Sequence, residues 1–186
     1  MTAPQRTALL VIDMQVDFVA PDGAMARLGR DVTAAQVALA KAAKLVYAAR
    51  AAGVPVFFVR LLSGPGGAAH GLCCVEGTRG ADFVGPQPQA EDVIISKSRF
   101  SAFAGTGLAE SLRAQAIDTL VLAGVTTECC IQASAWAAFE LDFRVILASD
   151  ACAAYEESLH RHALRALELS GAGVAASADL AALWKK

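Results

Sequence analysis

The chain has 186 residues, enough for a single domain that buries its own core without disulfides or metals. Its residues are 55% hydrophobic and only 18% charged, which points to a sheet buried on both faces or to burial between subunits, so a homo-oligomer (dimer or tetramer) is expected. A formal net charge of −2, with no Lys/Arg cluster and no basic stripe interleaved with aromatics, argues against nucleic acid as a partner.

From the N-terminus, Thr7–Ile12 reads as a buried strand, too short for a signal-peptide core and running straight into Asp13. Thr33–Ala52 reads as an Ala-rich helix stopped by Gly53-Val54-Pro55, and the strand Val54–Arg60 follows. Leu61–Glu91 is rich in Gly and Pro with little periodicity, and a loop that long inside a compact domain is expected to be functional. Beyond it come a strand at Asp92–Ile95, a helix at Leu108–Ala116, a strand at Thr119–Ala123 and a helix at Thr127–Leu141. A strand at Arg144–Leu147 and a helix at Glu156–Ser170 close the series. Such alternation predicts βαβ units on a parallel sheet. Charged residues or glycines break every apolar segment before the roughly 18 residues of a membrane span, so a soluble, cytoplasmic protein with no membrane partner is expected.

In such sheets ligands bind beyond the carboxyl ends of strands, near the point where strand order reverses. Asp13 follows the first strand, with Gln15, Asp17 and Phe18 in the loop beyond, and is either an edge carboxylate or a turn cap. Lys97 follows the strand that starts at Asp92 and is either solvated or a site ammonium. After Thr119–Ala123, a glycine turn carries Cys130 into the first turn of a helix. There, free N–H groups and the helix dipole are expected to lower a thiol pKa and can hold an oxyanion. The alternative is that Cys129 and Cys130 are small buried hydrophobes. Five cysteines, an odd number with two adjacent pairs, suit neither a disulfide framework nor a metal knuckle. Thiol, carboxylate and ammonium together would supply a nucleophile, a proton carrier and a charge to hold both. His160 and His162, two apart on a helix, point in different directions and do not suit a Cys–His dyad.

The runs Leu9–Phe18, Gly77–Ala81, Lys97–Thr106, Gly124–Cys130 and Ser149–Cys152, in this order, resemble those of the isochorismatase-like cysteine hydrolases. The resemblance implies a single-domain Rossmann-like α/β fold over residues 1–186, a three-layer sandwich with a six-stranded, mostly parallel sheet and helices on both faces. It implies a catalytic Asp13, Lys97 and Cys130, and it selects Cys130 over Cys129. A cis Val125–Thr126 peptide and an oxyanion hole built from the N–H groups of Thr126 and Cys130 are also implied, with Gln15, Phe18, Arg79, Arg99 and Phe103 as substrate-binding residues.

Within the family the chain most resembles ureidoacrylate- and biuret-type amidohydrolases, which implies hydrolysis of a C–N bond in a small amide, ureido or carbamoyl substrate through a thioester. Arg79 stands where those relatives often carry an aromatic residue. In the pocket wall it would favour a substrate carboxylate; otherwise it is a surface loop residue. Nicotinamidase-type relatives carry an Asp-x-His pair and further histidines after the second strand, where this chain has only His70, so no metal and no cofactor is expected. Two alternatives stay open: hydrolysis of the vinyl ether of isochorismate, and a catalytically silent partner protein of the same fold.

Overall fold

A computed structural model describes residues 6–64 and 73–185. Apolar, β-branched runs form β1 (Thr7–Ile12), β2 (Val56–Leu61), β3 (Val93–Lys97), β4 (Thr119–Val125), β5 (Arg144–Ala153) and β6 (Gly173–Ala175). They assemble in the order β3-β2-β1-β4-β5-β6, and every pairing is parallel, so the sheet is wholly parallel among the described residues. Two one-turn helices, α1 (Val16–Val19) and α2 (Ala24–Arg27), precede the long α3 (Thr33–Ala51). Further along come α4 (Leu108–Ala114), α5 (Gln132–Glu140), α6 (Glu157–Leu169) and α7 (Ser177–Trp184). The helix expected to run from Thr127 opens instead as a π-helical turn, Thr127–Ile131, in which the Ile131 N–H donates to Thr126 O at 3.2 Å.

Alternate residues of β1 pack into opposite layers. Ala8, Leu10 and Ile12 join Leu120, Leu122, Leu108, Leu112, Ala135 and Leu167 on the face covered by α4, α5 and α6. Leu9 and Val11 join Phe58, Val121, Leu45 and Trp184 on the face covered by α3 and α7. Because both faces are covered, β1 and β4 are buried throughout, and each large side chain so buried contributes about 1.5–3 kcal/mol. α3 meets the sheet through Ala35, Ala38, Ala42, Leu45, Val46 and Ala49, a three-and-four spacing whose small residues let the helix lie close.

The chain builds β1, β2 and β3 outward to one side and then returns to place β4 against the other side of β1. Strand order therefore reverses between β1 and β4, and the segments leaving their carboxyl ends diverge and open a crevice. Backbones approach tightly there: Gly124 has φ +136°, and a Cβ on it would lie 2.0 Å from the Ile12 carbonyl oxygen. Only glycine meets both demands. Gly124→Ala is expected to cost about 3 kcal/mol or more. A urea midpoint as high as that of the parent chain would contradict this close approach.

Candidate active site

Asp13 leaves β1 in the left-handed region, φ 56°, with its N–H donating to Val59 O at 2.9 Å. Lys97 is the last residue of β3, and Cys130 sits in the π-helical turn after β4. Three separated strand ends therefore converge on one point. The Lys97 ammonium donates to Asp13 Oδ2 at 2.7 Å, to the Arg99 carbonyl at 3.1 Å and to Cys130 Sγ at 3.4 Å. An ammonium has three N–H donors, and all three are used. The Asp13 and Lys97 side chains are both 0% exposed.

Burial pushes the Asp13 carboxyl above its usual range, with the Lys97 charge the largest opposing influence. Burial alone would lower Lys97, but Asp13 and Cys130 beside it hold it above its ordinary value, so it stays an ammonium. The Cys130 thiol is raised by a sulfur hydrogen bond with Cys129, by burial and by the Asp13 charge, against Lys97. The expected depression of this thiol is thus corrected. The sulfur hydrogen bond with Cys129, burial and the neighbouring carboxylate together outweigh the Lys97 charge, and the shift runs opposite to the one expected. Asp13 Oδ1 is buried without a hydrogen-bond partner and is free to accept a proton. The Val125–Thr126 peptide is cis, and the Thr126 carbonyl accepts from the N–H groups of Cys129 at 3.1 Å and Ile131 at 3.2 Å.

The other expected residues do not all join this cluster. Gln15 bonds to backbone instead: its Nε2 donates to Leu61 O at 2.8 Å and Ala81 O at 2.9 Å, and its Oε1 accepts from the Leu61 N–H at 2.8 Å. Fully buried and spent on backbone, Gln15 is a structural tie and not a substrate ligand. Arg79 is exposed and paired with Asp22 at 2.6 Å, which is the surface-loop alternative. Arg99 contributes only its carbonyl, its side chain being exposed. The Phe103 ring stacks on Phe143 at 5.9 Å, just before β5 starts, so it packs in the core layer and not at the strands' carboxyl ends. Phe18 is half-buried, and its carbonyl accepts from the Tyr155 hydroxyl at 3.0 Å.

Sequence reasoning gave no role to Asp17, which organises the walls. Its Oδ1 accepts from the Ala24 N–H at 2.9 Å and its Oδ2 from the Cys74 N–H at 2.7 Å. A Cβ on Gly80 would lie 2.1 Å from Oδ2. An acid between Val16 and Phe18, in an otherwise apolar run, was the available signal for a buried acceptor. His160, expected not to form a Cys–His dyad, has its Nδ1 2.8 Å from Thr127 Oγ1, bracing the turn that carries Cys130. Among the described residues no group of three or more His, Cys, Asp or Glu side chains is arranged to hold a metal ion, and His70 lies outside them.

Comparison with known proteins gives a consistent picture. The model of the isochorismatase domain family matches residues 7–179. A ureidoacrylate amidohydrolase, RutB, from Methylobacterium radiotolerans is 31% identical, the match covering 89% of this chain and 74% of that one. The crystal structure of a cysteine hydrolase from Pseudomonas syringae superposes with a TM-score of 0.89 at 26% identity, covering 99% and 94% of the two chains. A pyrazinamidase of Pyrococcus horikoshii, solved in complex with zinc, gives 0.82 at 29% identity, covering 92% and 99%.

Replacing Lys97 by Met strands the buried Asp13 carboxyl and is expected to cost about 3–5 kcal/mol in equilibrium unfolding. Loss within the error of the measurement would mean that the ammonium is dispensable. Burial lowers the His160 pKa below 6.5, against the charges of Glu157 and Glu128. The unfolded chain then takes up a proton that the folded one resists, so stability is full above pH 6.5 and falls as pH drops through the lower folded-state value. In His160→Gln that acid-side fall should be shallower, which denaturation midpoints followed across this range would reveal.

Proposed function

We propose that this chain, which belongs to the isochorismatase family, hydrolyses a C–N bond of a small amide, ureido or carbamoyl compound through a thioester on Cys130. The observation that carries the reading is one buried ammonium bonded at once to a carboxylate and to a cysteine sulfur, 2.7 and 3.4 Å away. A merely structural lysine has no need of a sulfur acceptor.

In this reaction Asp13 takes the Cys130 proton through Oδ1, and the thiolate attacks the substrate carbonyl. The N–H groups of Thr126 and Cys130 hold the resulting oxyanion, and one such donor typically contributes about 10²–10³ in rate. Asp13 passes its proton to the substrate nitrogen, the C–N bond breaks and the amine departs. Water, deprotonated by Asp13, then cleaves the thioester and restores the thiol. Throughout, Lys97 keeps thiolate and carboxylate in register and limits the cost of charge in a dry site. The route needs no cofactor. The ureidoacrylate relative supports a ureido or carbamoyl group, and the pyrazinamidase neighbour supports the broader amide class.

We further propose that the chain works as one domain, in the cytoplasm, as a homo-oligomer. Exposed apolar side chains such as Tyr47 (78%), Leu169 (71%) and Phe100 (65%) support association.

The test is ammonia release across a panel of ureido compounds and carboxamides, with pyruvate release followed for isochorismate. Cys130→Ala should abolish turnover, and Asp13→Asn should lower it by about 10²–10⁴. Full turnover by Cys130→Ala would overturn the mechanism, and turnover of isochorismate alone would favour ether hydrolysis.

A further inference from the structure

The Lys97 ammonium has two strong acceptors, Asp13 Oδ2 at 2.7 Å and the Arg99 carbonyl at 3.1 Å, and one weak one, Cys130 Sγ at 3.4 Å. The two oxygens hold the ammonium in place, whereas a thiol sulfur binds too weakly to draw a whole turn of chain toward it. The distance from ammonium to sulfur is therefore set by what holds the backbone of Cys130.

Ser134 stands in the first turn of α5, four residues beyond Cys130, and is fully buried. Its hydroxyl donates to the Cys130 carbonyl at 2.6 Å and accepts from the Ala102 N–H at 2.9 Å. A serine that bonds only to the carbonyl four residues before it is common in helices and has no bearing on a site. Here the same oxygen also takes a donor from the loop that leaves β3 directly after Lys97. Ala102 is itself buried, and its carbonyl accepts from Thr106 Oγ1 at 2.6 Å, so the loop is fastened through both the N–H and the carbonyl of that residue. The two segments that meet at the ammonium–sulfur contact thus meet a second time, away from solvent, through one hydroxyl.

We propose that Ser134 is a positioning residue, whose hydroxyl ties the carbonyl of Cys130 to the loop after Lys97 and so sets the distance from the ammonium to the attacking sulfur. This rests on the function proposed above, in which that sulfur is the nucleophile. Ser134 touches neither the sulfur nor a substrate, and it acts through the backbone of the turn alone. Its loss leaves thiol, carboxylate and ammonium all present and changes only their register, on which the rate of attack depends steeply.

Acylation by p-nitrophenyl acetate tests this without knowledge of the substrate. The Cys130 sulfur forms a bond to the acetyl carbon, the bond from that carbon to the phenolic oxygen breaks, the thiol proton passes to Asp13, and p-nitrophenolate leaves and is followed by its absorbance. The rate of release, less that of Cys130→Ala, is divided by the folded fraction taken from urea denaturation. In Ser134→Ala, which loses the tie, this rate should fall roughly ten- to a hundredfold. Ser134→Thr, which keeps the hydroxyl, should recover most of it. Thr106→Val, which frees the loop from its other fastening on Ala102, should slow release in the same sense by a smaller factor, and it decides the matter if Ser134→Ala does not fold. A purely structural serine lowers the folded fraction and leaves the rate per folded chain as it was, and an unchanged rate in the variants that fold overturns the proposal. Failure of the underlying mechanism reads differently, as release by the parent chain no faster than by Cys130→Ala, and it removes this proposal as well.

Discussion

An ammonium held away from water is stable only where acceptors replace its hydration shell, and the Lys97 Nζ has three of them, from Asp13, Arg99 and Cys130. Each comes from a different requirement of the fold. Asp13 demands that β1 end in a left-handed residue, Arg99 that the chain turn back directly after β3, and Cys130 that β4 pass into a helical turn beside β1. Satisfying the lysine thus fixes the relative placement of β3, β1 and β4 at their carboxyl ends. The strand order that makes this possible, with β1 central and β4 added on its far side, is also the one that opens a crevice.

The same contacts determine where the protons rest. Burial raises the carboxyl, a sulfur hydrogen bond with Cys129 together with burial raises the thiol, and the ammonium between them opposes both shifts. A site in which the thiol was already a thiolate would carry two negative charges against one positive. A protonated thiol would leave one carboxylate against one ammonium, and in the proposed reaction the second negative charge would arise only as the thiolate attacks a substrate carbonyl. A raised thiol pKa is therefore compatible with the proposed nucleophilic role, in which Asp13 would be the base.

Much of the fold was legible because continuous apolar runs such as Leu9–Ile12 and Leu120–Ala123 suit strands covered on both faces, and the three groups at strand ends followed from parallel-sheet geometry. What escaped reading lay in interactions between distant segments. β5 runs on to Ala153 although Ser149 and Asp150 interrupt its apolar run, because Asp150 accepts from the Ser177 N–H at 2.6 Å and from Lys41 at 3.4 Å. β6 has only three residues, two of them exposed, so no periodicity marks it. Gln15 occupies the place in sequence of a ligand-binding side chain, yet its partners, Leu61 and Ala81, lie 46 and 66 residues away. The direction of the thiol shift could not be read either, since the helix terminus is local and visible while burial is neither.

The walls of the crevice are held by side chains bonded to backbone and not by regular structure. Asp17 joins α2 to Cys74 and bars any side chain at position 80, while Gln15 ties Leu61 to Ala81. Gln15 follows Asp13 by two residues and Asp17 lies in α1 just beyond, so the segment after Cys73 is registered to the end of β1 as well as to Ser63, whose N–H donates to Cys74 O at 2.9 Å. Exposed positions there, Arg79 among them, then carry no constraint from the cluster. Such an arrangement separates two tasks: the buried ammonium fixes Asp13 and Cys130 relative to each other, and the loop surface can vary without moving them.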